Sequence, residues 1–367
     1  MTFNKPSFVI FTLLATTALT ACHKTPSYQQ LEGETMGTSY HIRYELPKQA
    51  DQTAIKESID KRLDEVNSSM STWQEDSTIS QFNLAAVNTP VKIDADFAHV
   101  LKDSQKVYAQ SGGAFDPTVK PVFELWGFGK EMRVDRLQSP PSAAEVEQAK
   151  SLIGFDSIRL NGNELSKTKE GVAMDFSAIA KGYGVDVIAD VLESKYKIKN
   201  YMVEIGGEVA TSGVNDKNAG WKIAIDAPIL HSGVANREVI AAIVQPVDES
   251  KHGKMNLATS GNYRNSIVFD GVRYSHTIDP HTGNPIVDGA PSVTVAANTV
   301  AMADAWATAL TAMPYQQALQ TANKQNLAVM FVVPKTGVDV NQAQHKLEDW
   351  QIVETEAMQK LRNRAQP

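Results

Sequence analysis

Asp304 and Thr308 stand four apart in the apolar run AMADAWATAL, and on a helix that spacing puts both on one face, a turn apart. A carboxylate and a hydroxyl are hard oxygen donors of the kind magnesium takes, usually with waters and substrate phosphates rather than in an all-protein cage. The same spacing also suits a plain Asp–Thr hydrogen bond. Because the surrounding run is apolar, a buried Asp304 needs a metal or hydrogen-bond donors close by.

A second candidate lies in MDFSAIAKGYGVD. Asp175 ends an extended run, and a helical pattern opens near Ser177, where free N–H groups and the positive dipole end favour a phosphate. Lys181, about one turn in, either adds a point charge on that face or is an ordinary solvated lysine. Gly182 and Gly184 let another group approach closely while weakening the helix. In SHTIDPHTGNP, His276 precedes a turn built on Asp279-Pro280 and Thr282-Gly283. Histidine is the usual general base near neutral pH, and a surface or core histidine is the plainer reading. His281, inside the turn, is the weaker candidate.

Other common mechanisms lack their parts. The chain has no Walker phosphate loop, GxGxxG, GxSxG elbow or HExxH. Its one cysteine in 367 residues, Cys22, rules out an intramolecular disulfide, and cysteine-ligated zinc with it. A net charge of −7 argues against a broad nucleic-acid surface, so any phosphate must be gripped locally.

These residues need a scaffold, and the hydrophobic pattern supplies an α+β one. Tyr40, Ile42, Tyr44 and Leu46 alternate with polar residues and predict a strand ending at Pro47. Ile55, Ile59, Leu63 and Val66 follow at helical spacing. A second helix carries Phe97, Val100, Leu101 and Tyr108 and stops at Gly112-Gly113, before the loop GAFDPTVKPVFELWGFG. Ser142 and Glu145 form a capping box for a short helix ending near Gly154, and Lys130 to Ser139 reads as a surface loop. From Tyr201 to Val295 the chain is mostly short β-type runs, bracketed by helical patterns at Ser177 to Glu193 and Thr299 to Met313. No repeat interrupts this, and no internal domain boundary is evident.

The N-terminus reads as a targeting signal: Lys5, an apolar stretch from Phe8 to Leu19, and Leu19-Thr20-Ala21 before Cys22. Shorter than the roughly 20 residues of a spanning helix, the stretch is also broken by Thr12, Thr16, Thr17 and Thr20. It resembles a bacterial lipoprotein signal, which implies cleavage after residue 21, lipidation of Cys22 and attachment to a bilayer facing the periplasm. His23, in place of an aspartate, leans toward the outer membrane. Residues 22–32 are polar and suit a tether, residues 33–333 are expected to form the folded domain, and residues 334–367 an amphipathic extension packed on it.

Taken in order, ETMGTSYHIRY, MSTWQEDSTISQFN, GAFDPTVKPVFELWGFG, MDFSAIAKGYGVD, EIGGEVATSG, SHTIDPHTGNPI and SVTVAANTVAMADAWATAL closely resemble the ApbE family of FAD:protein FMN transferases. The blocks run from about Glu34 to Met313. The resemblance implies a mixed fold with a largely antiparallel sheet region and flanking helices. It also implies magnesium-dependent attack by a client's Thr or Ser hydroxyl on the flavin-side phosphorus of FAD, releasing AMP. The usual clients are subunits of the sodium-pumping NADH:quinone oxidoreductase and of Rnf complexes. Carried over by position, flavin and phosphate contacts fall on Met36, Trp73, Ala114, Phe115, Asp116, Asp175 and Lys181. Metal ligation falls on Asp304, Thr308 and the carbonyl of Ala178, and His276 is the base. Trp73 stands where tyrosine is frequent and Ala178 where some members have serine; a tryptophan still stacks on a ring, and a carbonyl needs no particular side chain. Trp126 and Phe128 are further candidates for lining an aromatic pocket. Two other functions share these parts: an FAD pyrophosphatase and a flavin-binding lipoprotein without chemistry.

Overall fold

Alternation of apolar and polar residues from Thr38 to Glu45 buries Tyr40, Ile42 and Tyr44 on one face of a strand, as period-2 patterning requires. That strand belongs to a computed structural model describing residues 27–129, 139–229, 237–250, 252–263, 266–269, 272–339 and 346–364. The signal segment with Cys22 and His23, and residues 130–138 of the expected surface loop, lie outside the described residues.

Eight antiparallel strands make the central sheet: β1 (Tyr28–Thr35), β2 (Thr38–Glu45), β3 (Tyr201–Ile205), β4 (Glu208–Ser212), β5 (Lys254–Gly261), β6 (Ser292–Ala297), β7 (Ala328–Pro334) and β8 (Trp350–Glu354). Their spatial order is their chain order, so the sheet is a meander into whose connections helices and small hairpins are inserted. The β1–β2 connection is a two-residue turn with Met36 at φ 50° and Gly37 at φ 73°, the positive values that a tight hairpin needs. Two expected limits move. The fold begins at Tyr28, so residues 28–32 of the expected tether are strand, and residues 350–354 of the expected extension are the sheet's edge strand. Both runs carry weak alternation and take their conformation from pairing.

The helices are α1 (Gln52–Met70), α2 (Thr78–Leu84), α3 (Ala95–Ser111), α4 (Lys120–Leu125), α5 (Ala143–Lys150), α6 (Ala180–Asp190), α7 (Val300–Thr311), α8 (Tyr315–Lys324) and α9 (Glu356–Asn363). On one face of the sheet Ile55, Ile59 and Leu63 of α1 and Val185 and Ile188 of α6 pack on Ile42, Val203 and Ile205. Beside them α3 and α7 cover Val293, Val295, Val329 and Phe331. The alternate residues Met255, Leu257 and Met330 point to the other face, where the hairpin Lys222–Asp226/Val239–Val244 and Met358 of α9 cover them. Gly112 at φ 68° ends α3, and Ser142 with Glu145 closes the capping box of α5, which stops at Lys150. The layered helices and antiparallel sheet are the α+β architecture expected.

Arg62, Asp96 and Tyr183 tie α1, α3 and α6 together. The Arg62 guanidinium donates to both Asp96 oxygens at 2.6 Å, and the Tyr183 hydroxyl donates to Oδ1 at 2.6 Å. Burial alone would raise the Asp96 pKa, yet these donors hold it below the ordinary carboxylate value. A depressed pKa means stability that is present above the unfolded value, about 3.9, and lost as pH falls through the folded one. Asp96→Asn is therefore expected to lower stability near neutral pH by about 1–3 kcal/mol and to flatten the acid decline below about pH 4. Thermal unfolding from pH 2 to 7 checks this, and parallel acid limbs for mutant and wild type would refute it.

Candidate active site

The segment 175–182 links the parts of the site. Asp175 accepts from the Ser177 N–H at 2.7 Å and from its hydroxyl, and Thr72 donates to the other oxygen at 3.3 Å. This side-chain turn holds residues 175–177 out of the helix. Consequently α6 starts at Ala180 and not near Ser177, and after Asp190 it passes into a wider turn over Val191–Lys195. Ala178 lies in the turn leading into the helix.

From the first turn of α6 the chain meets α7. The Gly182 N–H donates to Asp304 Oδ2 at 3.0 Å, so this helix-end donor is given to a protein carboxylate. A Cβ on Gly182 would lie 2.5 Å from the Val300 carbonyl oxygen, which makes glycine a requirement of the approach. Asp186 returns the contact, accepting from the N–H groups of Val300 and Ala301 at 2.9 Å each. Burial outweighs those two hydrogen bonds and pushes the Asp186 carboxyl up to about 6.

Lys181 projects between two carboxylates. Its ammonium makes a close contact to Glu208 Oε1 and lies 3.8 Å from Asp304 Oδ1. Both acids are buried, with 3% of Glu208 and 2% of Asp304 accessible, and Glu208 Oε2 has no hydrogen-bond partner. Burial raises the pKa of Glu208 to about 7 against the pull of Lys181, and raises that of Asp304 against Lys181 and the Gly182 N–H. Burial opposes the Lys181 charge too, but Asp304 and Glu208 carry its pKa above the ordinary value. One turn on from Asp304, the Thr308 hydroxyl lies 3.4 Å from that of Ser260 at the end of β5. The Asp304–Thr308 pair thus shares a face, with Thr308 turned toward β5.

On the other side of the segment lies an open cavity of about 750 Å³ walled by Thr72, Trp73, Phe123, Phe128, Asp175 and Ser177 among others. That volume is in the range of small-molecule and cofactor sites. Trp73 is 64% exposed, a large apolar surface left at a cavity rim. Phe128 stands edge-on to the His276 ring, 6.4 Å between centroids, which places His276 beside this wall. The turn after His276 packs on the GAFDP loop: Trp126 donates its indole N–H to the Gly283 carbonyl at 2.9 Å, and His281 sits against Gly113.

The structure therefore brings Lys181 to Asp304, with Thr308 one turn further along α7, and brings Trp73 and Asp175 to one cavity, with His276 behind its Phe128 wall. Met36 covers Gly184 on α6 from the β1–β2 turn. Ala114 and Phe115 are buried in the main core, and Asp116 turns inward to cap Thr118 at 2.7 Å. Trp126 is likewise core, stacked on Tyr274. Sequence reasoning missed Glu208 as a site residue. Its signal was an acid directly after Gly-Gly, at the head of the strand run EVATS. Asp186, Thr72 and Ser260 carried none.

Fold and site define an α+β protein holding a lysine between two buried carboxylates beside an aromatic-rimmed cavity. The ApbE family model matches residues 36–331. The FAD:protein FMN transferase of Vibrio cholerae serotype O1 is 39% identical over 316 residues, 86% of this chain and 90% of that one. The Haemophilus influenzae FAD:protein FMN transferase is 40% identical over 323 residues, covering 86% and 89%. The solved flavin transferase ApbE from Vibrio cholerae aligns with a TM-score of 0.78 at 34% identity, over 92% of this chain and 99% of that one. The apo form of the Pseudomonas stutzeri flavinyl transferase ApbE gives 0.76 at 29%, over 92% and 97%. This chain belongs to the ApbE family.

Gly182→Ala is expected to destabilise by about 1–3 kcal/mol, since its Cβ meets backbone. Gly184→Ala should cost less, because its Cβ meets chiefly the flexible end of Met36, at 2.9 Å. Chemical unfolding of the two variants compares them, and equal costs would contradict the close α6–α7 approach.

Proposed function

We propose that the chain catalyses magnesium-dependent transfer of the FMN moiety of FAD to a Thr or Ser hydroxyl of client proteins, releasing AMP. One observation carries the reading: the match to FAD:protein FMN transferases runs over most of the chain and takes in the Lys181 cluster and the cavity wall together.

The donor set fits magnesium. Asp304, Thr308 and the Ala178 carbonyl offer hard oxygens, and Glu208 Oε2 is a buried oxygen lacking a partner. Among the described residues no three His, Cys, Asp or Glu side chains group as a metal site, so waters or substrate phosphates must complete the shell. Magnesium supplies neutralisation of charge on the phosphate oxygens. Lys181 supplies a second positive charge, and Trp73 an exposed ring on which isoalloxazine stacks. His276 accepts the proton of the client hydroxyl as its oxygen bonds to the flavin-side phosphorus; the bond from that phosphorus to the bridging oxygen breaks, and AMP leaves.

The proposed setting is the bacterial envelope, with the protein held to a bilayer through lipidated Cys22 and facing the periplasm. Its proposed clients are subunits of the sodium-pumping NADH:quinone oxidoreductase and Rnf type. The lipoprotein-like N-terminus and the family resemblance support both. Cys22→Ala is expected to move the protein to the soluble fraction with activity intact, and a variant still in the membrane fraction would end that part of the proposal.

Incubating the soluble form with FAD, magnesium and a client decides the reaction. AMP released together with flavin-labelled client supports transfer, AMP with free FMN means a pyrophosphatase, and FAD binding without AMP means a carrier. Asp304→Ala should abolish most magnesium-dependent turnover while retaining part of the FAD affinity. His276→Ala should keep FAD affinity but slow client labelling by about 100- to 10,000-fold. A His276→Ala variant that labels the client at the wild-type rate would remove His276 from the mechanism.

A further inference from the structure

Glu208 has a position that packing alone does not explain. The β3–β4 turn places it through Gly206 at φ 57° and Gly207 at φ 107°, with the Gly207 N–H fixed on Glu204 at 2.6 Å. It then enters a strand whose five residues are all buried. A carboxylate there loses its hydration and needs charge and hydrogen bonds in return. It receives one partner, Lys181 on Oε1, and none on Oε2.

Asp304 shows the same division. Oδ2 is used by the Gly182 N–H, while Oδ1 faces the Lys181 ammonium at 3.8 Å, too far for a hydrogen bond. Each acid thus directs an oxygen at the same ammonium. Two carboxylates and one ammonium leave the cluster one positive charge short, and a divalent cation would balance both acids. The lysine side chain is 31% accessible and has a flexible four-carbon stem, so it has somewhere to go.

Resting on the proposed magnesium-dependent reaction, we infer that Glu208 is a second carboxylate of the cation site, and that the Lys181 ammonium and the divalent cation compete for Glu208 and Asp304. Metal entry then releases the ammonium toward the pyrophosphate of the substrate. Metal and FAD binding are thereby coupled through one side chain, because each ion that occupies the carboxylates frees a cation for the phosphates. Removing the lysine frees both acids, so competition predicts tighter metal binding, and a loss of affinity on neutralising Glu208 marks Glu208 itself as a ligand.

Calorimetric titration of magnesium chloride into the protein without FAD tests this, with wild type, Lys181→Met and Glu208→Gln compared at one pH. Glu208→Gln is expected to weaken magnesium binding by about tenfold or more. Lys181→Met should tighten it several-fold, show a larger magnesium-induced rise in Tm than wild type, and bind FAD less well in saturating magnesium. Glu208→Gln with wild-type magnesium affinity, or Lys181→Met that binds no tighter, overturns the inference while leaving the transferase reading intact. Wild type that binds no magnesium without FAD overturns the inference as well, while the transferase reading is decided separately by AMP release and client labelling. Should Glu208→Gln fail to fold, Glu208→Asp, which keeps the charge on a shorter stem, replaces it and is expected to weaken magnesium binding, wild-type affinity overturning the inference; a Lys181→Met chain that folds only in magnesium is the strongest form of the competition result.

Discussion

Everything at the site hangs on the mutual capping of α6 and α7. Each helix begins with unsatisfied N–H groups, and each has some of them satisfied by a carboxylate of the other: Asp186 takes two, those of Val300 and Ala301, and Asp304 takes one, that of Gly182. The exchange is possible only because Gly182 has no side chain where the Val300 carbonyl passes. It fixes the height of Asp304 relative to Lys181, the residue before Gly182. Once those two are set, Thr308 one turn further on is set as well. Distant contacts serve the same pair, since Tyr183 on α6 is bolted to Asp96 and Arg62.

An acidic chain that handles a pyrophosphate must concentrate positive charge, because its net charge of −7 repels one. The cluster does so by keeping Lys181 ionised between two buried acids. Its charge is held in the first turn of a helix against two buried acids, where it is less screened than on the open surface. The cost falls on Glu208 and Asp304, whose pKa values burial raises, and a divalent cation would relieve it.

Much of this was legible in the sequence, and the illegible part has a common cause. Apolar residues at helical spacing gave α1 and α3, alternation gave β2, and Ser142 with Glu145 gave the start of α5, because each pattern is local. The pairing of Asp304 with Thr308 on one face was also local. What failed to show were relations across the fold. Asp175 ties up Ser177 and delays α6, Trp350–Glu354 becomes a strand only because β7 offers it an edge, and Phe115 and Trp126 turn into the core instead of the cavity. Glu208 is the sharpest case. An acid after two glycines reads as a turn residue until the strand beyond it proves to be buried and Lys181 proves to face it.

The two halves of the site also differ in stiffness, in a way that suits group transfer between macromolecules. Asp304 and Thr308 sit on a packed helix, where positions are held within the close tolerances that phosphoryl-type transfer asks of its charges, and the Cα of Lys181 is fixed on α6 while its long stem is free to swing. Trp73 and Phe128 sit on loops or beside turns at an open rim, and His276 stands behind Phe128. A flavin ring needs only a flat face, and a client hydroxyl arrives on a chain of its own shape, so an adaptable wall is an advantage there. The segment 175–182 joins the two, with Asp175 at the cavity and Lys181 at the carboxylates. Whatever displaces Asp175 at the cavity is therefore separated from the Lys181 charge by a segment of eight residues at most.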